Sequence, residues 1–406
     1  MVRVLALGLV CLNAHSQDIK SDLRALYDTH RWFDLRHEVI SHPAPAFYKA
    51  AVAAVFNQFD GNAVKELQAV IQSDPPADLE VEAREELVGL YYRTGKYQEA
   101  LSQAVTLLKV HPGQADMLNI LPTLQALAPY GSQHVVKRSP SSLKMEVDGG
   151  NLVLPVSVNG IGANYIFDNG FSLSGISESE ARRLHLVIHE VMTHIDTMSG
   201  APVKVRVAMA PTLSVGGVEL TNVAFYVLPD SAPPFNDLAA GRQGILGLPV
   251  ILAVEHFEWN TTQLAFTILP GDEKSDLKPN LALEGTSTLV QVLFRGKPLE
   301  FSLDLGAQKT LLYPKFLQDF PDLQDSSKEE AHRVTGVGGS AEIDSITIPS
   351  LTLNVGDDNR SLAPAHVLLH NNNSTSGWFS GNLAMDLLSG PNDVEIDFRR
   401  SRLTIH

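Results

Sequence analysis

Hydrophobic and polar positions change their period once along the chain, near residue 131. Before that point the spacing is helical. Between Val81 and Val110, Leu87, Leu90 and Tyr91 fall on one face of a 3.6-residue period. A second run, Tyr97, Ala100, Leu101, Ala104, Val105 and Leu108, follows Thr94-Gly95-Lys96, so a helix-turn-helix pair is predicted. After about residue 131 the period becomes two. Leu152, Leu154, Val156 and Val158 line one side of a strand, and Val153 between them makes the other side partly apolar. This strand is predicted to end in the turn Asn159-Gly160, with Tyr165-Ile166-Phe167 as a second, buried strand. Ser177 to Leu186 reads as a short helix, and the Pro, Ser and Gly cluster at 138–150 reads as a linker between the two regions.

Within the helical stretch, Asp60-Gly61-Asn62 precedes its counterpart Thr94-Gly95-Lys96 by the same interval that separates Leu67 from Leu101. That interval matches the helical period of tetratricopeptide repeats, about 34 residues. Gly95-Lys96-Tyr97-Gln98-Glu99-Ala100-Leu101 resembles that family's inter-helix turn, over two or three units. The resemblance implies a surface for a protein partner; helix-on-helix packing accounts for the same apolar positions, and both readings stand.

The C-terminal part repeats itself at a period near 136. Gly160 recurs as Gly296, Asp168 as Asp304, Gly170 as Gly306 and Gly200 as Gly336, each at that one spacing. Gly244 recurs as Gly381 and Leu246 as Leu383, a single position beyond it. Glu258-Trp259-Asn260 before Leu264 parallels Glu395-Ile396-Asp397 before Leu403, with two extra residues in the second copy. Single Gly and Asp matches carry no weight, because both are common turn residues. So many matches in one order indicate two copies of a β-rich lobe, joined by the polar stretch near Gly271 to Pro279.

Each copy reads strand, Asp-x-Gly, strand-like segment, glycine-tipped hairpin, apolar-Gly. Tyr165-Ile166-Phe167-Asp168-Asn169-Gly170-Phe171-Ser172 and Phe301-Ser302-Leu303-Asp304-Leu305-Gly306-Ala307 both resemble the active-site stretch of retropepsin-like and pepsin-like aspartic proteases. Gly244-Ile245-Leu246-Gly247 is similar to the family's later apolar-Gly element; Gly381-Asn382-Leu383-Ala384 is less so, with Ala384 in place of the second glycine. The resemblance covers about residues 145–406 and implies a two-lobed peptidase of bacterial type acting on a peptide or protein substrate, with no metal or organic cofactor. It implies Asp168 and Asp304 as catalytic residues, since water attacks a peptide bond when one carboxylate removes its proton and a carboxylic acid protonates the carbonyl oxygen. Two close carboxyls share one proton and supply both roles. Asn169, Gly170, Ser172, Leu305 and Gly306 would support the pair, and Gly200, Gly336 and Gly338 would tip flaps closing over an extended substrate. The sequence departs from the family at the residue after each aspartate, usually Thr or Ser, here Asn169 and Leu305. The usual hydroxyl hydrogen-bonds between lobes; Asn169 retains that capacity and Leu305 lacks it. Phe171 and Gln308 are further departures. A pseudoprotease that binds extended peptides, or a helical-repeat scaffold, is therefore the alternative reading.

Composition changes this picture little. In 406 residues, 44% are hydrophobic and 19% charged, and the formal net charge of −15 argues against a nucleic-acid partner. Arg3, the apolar run Val4 to Leu12 and Ala14-His15-Ser16 read as a secretory signal over residues 1–16, too short for a membrane span. A periplasmic or secreted location follows; a buried N-terminal helix is the competing interpretation. The single cysteine, Cys11, lies in that segment, behind a poor lipid-attachment motif, so cleavage would leave no thiol for catalysis, disulfides or metal. His185, His189 and His194 miss the metalloprotease spacing. Ser141-Ser142-Leu143-Lys144 fits Ser-x-x-Lys but lacks its companion motifs. The expected fold is multidomain α+β: signal 1–16, an N-terminal α-helical repeat domain at 17–131, then a mainly-β double-lobed aspartic-protease-like domain at 145–270 and 283–406.

Overall fold

The structure is a computed structural model that describes residues 22–56, 61–195, 203–271, 278–326, 328–336, 339–370 and 377–406. Its architecture is multidomain α+β, with helices first and β-rich lobes after. The residues form two compact units that divide between Glu86 and Leu87.

The first unit holds helical residues 22–28, α1 (Trp32–Ser41), α2 (Ala46–Phe56), α3 (Asn62–Gln72) and the first part of α4 (Ala77–Arg93). Helix α2 buries nearly every residue, because its sequence offers almost no polar face. Tyr27 meets Trp32 and Phe47 edge-on at 5.5 and 5.1 Å, an arrangement that aligns ring edges with ring faces.

The second unit begins with the rest of α4, then α5 (Tyr97–Val110) and α6 (Ala115–Leu127). Gly95 breaks the chain between α4 and α5 at φ +71°, and a Cβ there would lie 2.5 Å from Gln133 Cβ. On α5 the buried positions are Tyr97, Ala100, Ala104 and Leu107. The helical stretch is thus longer than the first compact unit. Helices α5 and α6 belong with the β lobes: α6 packs on β7 (Val187–Ile195) and β8 (Val203–Val215), and α5 packs on α6.

The first lobe comprises β1 (His134–Arg138), β2 (Ser141–Lys144), β3 (Glu146–Asp148), β4 (Asn151–Val158), β5 (Ile161–Phe167), β6 (Ser174–Ser177), α7 (Glu178–Arg183), β7 (Val187–Ile195), β8 (Val203–Val215), β9 (Val218–Leu228), β10 (Gly244–Leu246), α8 (Leu248–Val254), β11 (His256–Asn260) and β12 (Ala265–Ile268). Residues 138–150 are therefore not a linker. Ser141–Lys144 pairs with β12 along its whole length, and strand pairing there outweighs the local Ser and Gly preference for turns. The second lobe comprises β13 (Leu281–Glu284), β14 (Ser287–Phe294), β15 (Lys297–Leu303), β16 (Leu311–Leu312), α9 (Pro314–Asp319), β17 (Lys328–Gly336), β18 (Gly339–Ile348), β19 (Leu351–Val355), β20 (Asp358–Leu362), β21 (Ala365–Leu368), β22 (Gly381–Leu383), α10 (Met385–Leu388), β23 (Val394–Asp397) and β24 (Arg402–Ile405).

The repeat is visible in backbone detail. The β4–β5 turn places Asn159 and Gly160 at φ +51° and +78°, and the β14–β15 turn places Arg295 and Gly296 at +51° and +77°. Two left-handed residues in succession match the twist of a hairpin. A third sheet, ordered β2-β12-β11-β23-β24, takes strands from both lobes. Within it β11 and β23 run antiparallel with Glu258 opposite Glu395, its own counterpart in the second copy. Equivalent residues face each other only when a twofold axis passes between them, so the lobes are related by pseudo-twofold symmetry.

Candidate active site

Both aspartates sit where a β-strand gives way to a loop. Asp168 follows β5 and its N–H donates to Leu246 O at 3.0 Å; Asp304 follows β15 and its N–H donates to Leu383 O at 3.0 Å. Strand β10 lies parallel to β5, and β22 parallel to β15, so each apolar-Gly element holds the strand that presents an aspartate. Each loop then closes on its own carboxyl. Gly170 N–H donates to Asp168 Oδ1 at 2.8 Å, and Gly306 N–H to Asp304 Oδ1 at 2.9 Å.

The loops also interlock. A Cβ on Gly306 would sit 2.2 Å from Asp168 Cγ, and one on Gly170 would sit 2.7 Å from Asp304 Oδ1. Each carboxyl therefore lies over the other loop's glycine, and hydrogen there is the only side chain that permits it. The two carboxyls thus lie close together where the loops cross. Burial and repulsion from Asp304 push the Asp168 carboxyl well above the usual range. Burial also raises Asp304, against the hydrogen bonds donated by the Gly306 and Ala307 amides. Both side chains still keep part of their surface open to solvent.

Asn169 bridges the lobes. Its Nδ2 donates to Leu303 O at 2.8 Å, and its Oδ1 accepts from Leu305 N–H at 2.7 Å. The bridge runs one way, because the Leu305 side chain has nothing to return. The Tyr92 and Tyr226 hydroxyls lie 2.6 Å apart, tying the end of helix α4 to β9, and Ser172 of the Asp168 loop is their neighbour. Gln308 packs on the Gly149-Gly150 turn of the first lobe. Gly336 pairs with Gly339 at the end of the β17–β18 hairpin. Gly200 and Gly338 lie outside the described residues, as do the signal segment, Cys11 and part of the 271–279 stretch.

Three features escaped the sequence reading. Ser174 Oγ accepts from Gly247 N–H at 3.1 Å, and Thr310 Oγ1 accepts from Ala384 N–H at 3.0 Å; the two hydroxyls stand at the repeat spacing, which would have found them. Thr310 is in turn held by Asp386, its hydroxyl donating at 2.6 Å. Ser302 Oγ donates to Asn382 Oδ1 at 2.7 Å, in the second lobe only. His189 meets the Tyr130 hydroxyl at 2.5 Å, His194 is exposed and His185 is in the turn after α7. Among the described residues no three His, Cys, Asp or Glu side chains converge as a metal site would require. In the same residues no helix is long and apolar enough to cross a membrane.

Residues 154–250 match the model of a family described as aspartyl protease. That span contains Asp168 and the Gly244–Gly247 element and ends before Asp304. No curated protein matches the chain. Among solved structures, a retropepsin-like aspartic protease from Rickettsia conorii is similar at 16% identity, over 34% of this chain and 93% of that one, with a TM-score of 0.25. The crystal structure of edgp is similar at 12% identity, over 66% of this chain and 94% of that one, with a TM-score of 0.37. The first β lobe thus carries an aspartyl-protease family match, which supports a peptidase-like function for the chain.

Proposed function

We propose that this chain is an aspartic-type peptidase in which water held between Asp168 and Asp304 attacks the carbonyl of a bound peptide. The observation that carries the reading is the interlocked pair of loops, each laying its carboxyl over the other's glycine in a twofold-related fold. The ionised member takes a proton from water as its oxygen bonds to the carbonyl carbon, while the protonated member donates to the carbonyl oxygen. The resulting diol collapses with proton transfer to the amide nitrogen, and the C–N bond breaks. The hairpins β7–β8 and β17–β18 would close over the substrate and exclude water. Tetratricopeptide-like packing in the helices would offer a protein-binding face, and the leader-like first residues would send the chain out of the cytoplasm.

Incubation with an unfolded polypeptide across acidic to neutral pH tests the central reading. Wild type should cleave it, a pepstatin-like inhibitor should block cleavage, and Asp168→Asn or Asp304→Asn should abolish it. Absence of cleavage at every pH would overturn it. A peptide-binding pseudoenzyme would then lead, which the one-way Asn169 bridge favours.

A further inference from the structure

The two lobes share their turn and strand order, yet the strands that carry their aspartates have different neighbours. In the first lobe Ile166, two residues before Asp168, pairs with Ile245. Both are buried, and neither offers a hydrogen bond. In the second lobe Ser302 and Asn382 occupy the same positions, and they pair in the same register. Ser302 and Asp304, two apart, point to one side of the strand, and Asn382 beside Ser302 joins them there. Asn382 is 6% exposed, so its amide has protein partners to satisfy.

Those partners fix which way the amide points. Ser302 donates its hydroxyl to Asn382 Oδ1 at 2.7 Å, so Oδ1 is an acceptor already engaged. Nδ2, which only donates, is then the atom of this amide left to face Asp304. A donor of this kind suits a carboxylate better than a carboxylic acid. Resting on the peptidase reading above, we propose that Asn382, oriented by Ser302, holds Asp304 as the ionised member of the pair and leaves the shared proton on Asp168. Asn382 is then a positioning residue that assigns the general base to the second lobe and the general acid to the first. Tyr313 also bears on this group: it neighbours Ser302, and burial pushes its hydroxyl up to about 12, so it stays neutral there. On its own lobe Asp168 has apolar Ile166 and Ile245 at the equivalent places, and the Gly170 and Gly306 amides reach it from the two loops.

Carboxyl-selective 13C NMR across pH tests this on the full chain, without requiring turnover. The Asp304 Cγ signal should carry the first ionisation and Asp168 Cγ the second. Asn382→Leu should move the Asp304 step up by about one to two pH units, the loss of a hydrogen bond to a charged group. Ser302→Ala, which frees the amide to turn, should move it the same way by less, and decides the matter if Asn382→Leu does not fold. Ionisation of Asp168 first, or an Asp304 step unmoved in the folded variant, would overturn the proposal. Failure to cleave peptides with the expected titration would count against the peptidase reading alone.

Discussion

Truncating Asn169 to alanine should loosen the contact between the lobes at one point. The amide makes two bonds to the opposite loop, from Nδ2 to Leu303 O at 2.8 Å and from Leu305 N–H to Oδ1 at 2.7 Å. Asn169, Leu303 and Leu305 are 1%, 2% and 0% exposed, so water does not replace these bonds without rearrangement. An orphaned buried donor or acceptor costs about 1–3 kcal/mol, which puts Asn169→Ala at roughly 2–6 kcal/mol. Urea unfolding followed by circular dichroism gives the loss, and native-state hydrogen exchange reads the Leu305 amide directly. Asn169→Ser, which restores a smaller donor and acceptor, should recover part of the loss. A change below about 0.5 kcal/mol, with the Leu305 amide as protected as in wild type, would refute the bridge as a stabilising element.

Three further outcomes follow from the same geometry. Gly306→Ala would drive a methyl into Asp168 Cγ, 2.2 Å away, and should cut peptidase activity by about 100-fold or more through displacement of the pair; Gly170→Ala, with its nearest atom at 2.7 Å, should cost less, and equal activity in all three proteins by initial-rate assay would contradict this. Burial opposes a charge on His256, yet both ring nitrogens face acceptors, Pro270 O at 2.7 Å and Glu395 Oε1 at 2.8 Å, so the ring is held as imidazolium, and Glu395 is drawn down to about 2 by His256 first and His406 after. The His256 contribution is therefore complete below about pH 6.5 and fades as pH rises through its raised value, while that of Glu395 is complete above about pH 4.5 and fades as pH falls toward 2. Urea midpoints measured against pH should show both slopes, and His256→Gln should flatten the upper one. Tyr92→Phe removes the hydroxyl shared with Tyr226 and should destabilise the second unit by about 1 kcal/mol in urea; a stabilisation would contradict the pairing.

The repeat was legible because a duplicated lobe copies its turn residues, and turns demand particular ones. Asn159-Gly160 and the Gly296 turn announce themselves by left-handed φ, and the aspartates by the glycine two places on. Leu152 and Leu154, with Val156 and Val158 beyond them, marked β4 for the same reason, since burial on one face imposes a period of two. The third sheet was not legible. Its pairing of β11 with β23 joins strands a whole repeat apart, and no local pattern records a partner so distant. Strand β2 was read as linker because serines have weak strand preference, and only the pairing with β12 makes them a strand. Ser302 and Asn382 carried no signal of their own within the stretches that contain them; their meaning lies in a cross-strand register that sequence does not display.

A crystal structure of the chain with a statine-containing peptide tests the central claim most directly. The account predicts the statine hydroxyl between the two carboxyls, within about 2.6–3.2 Å of an oxygen of Asp168 and of Asp304. A peptide bound elsewhere, or a hydroxyl reaching neither carboxyl, would contradict it.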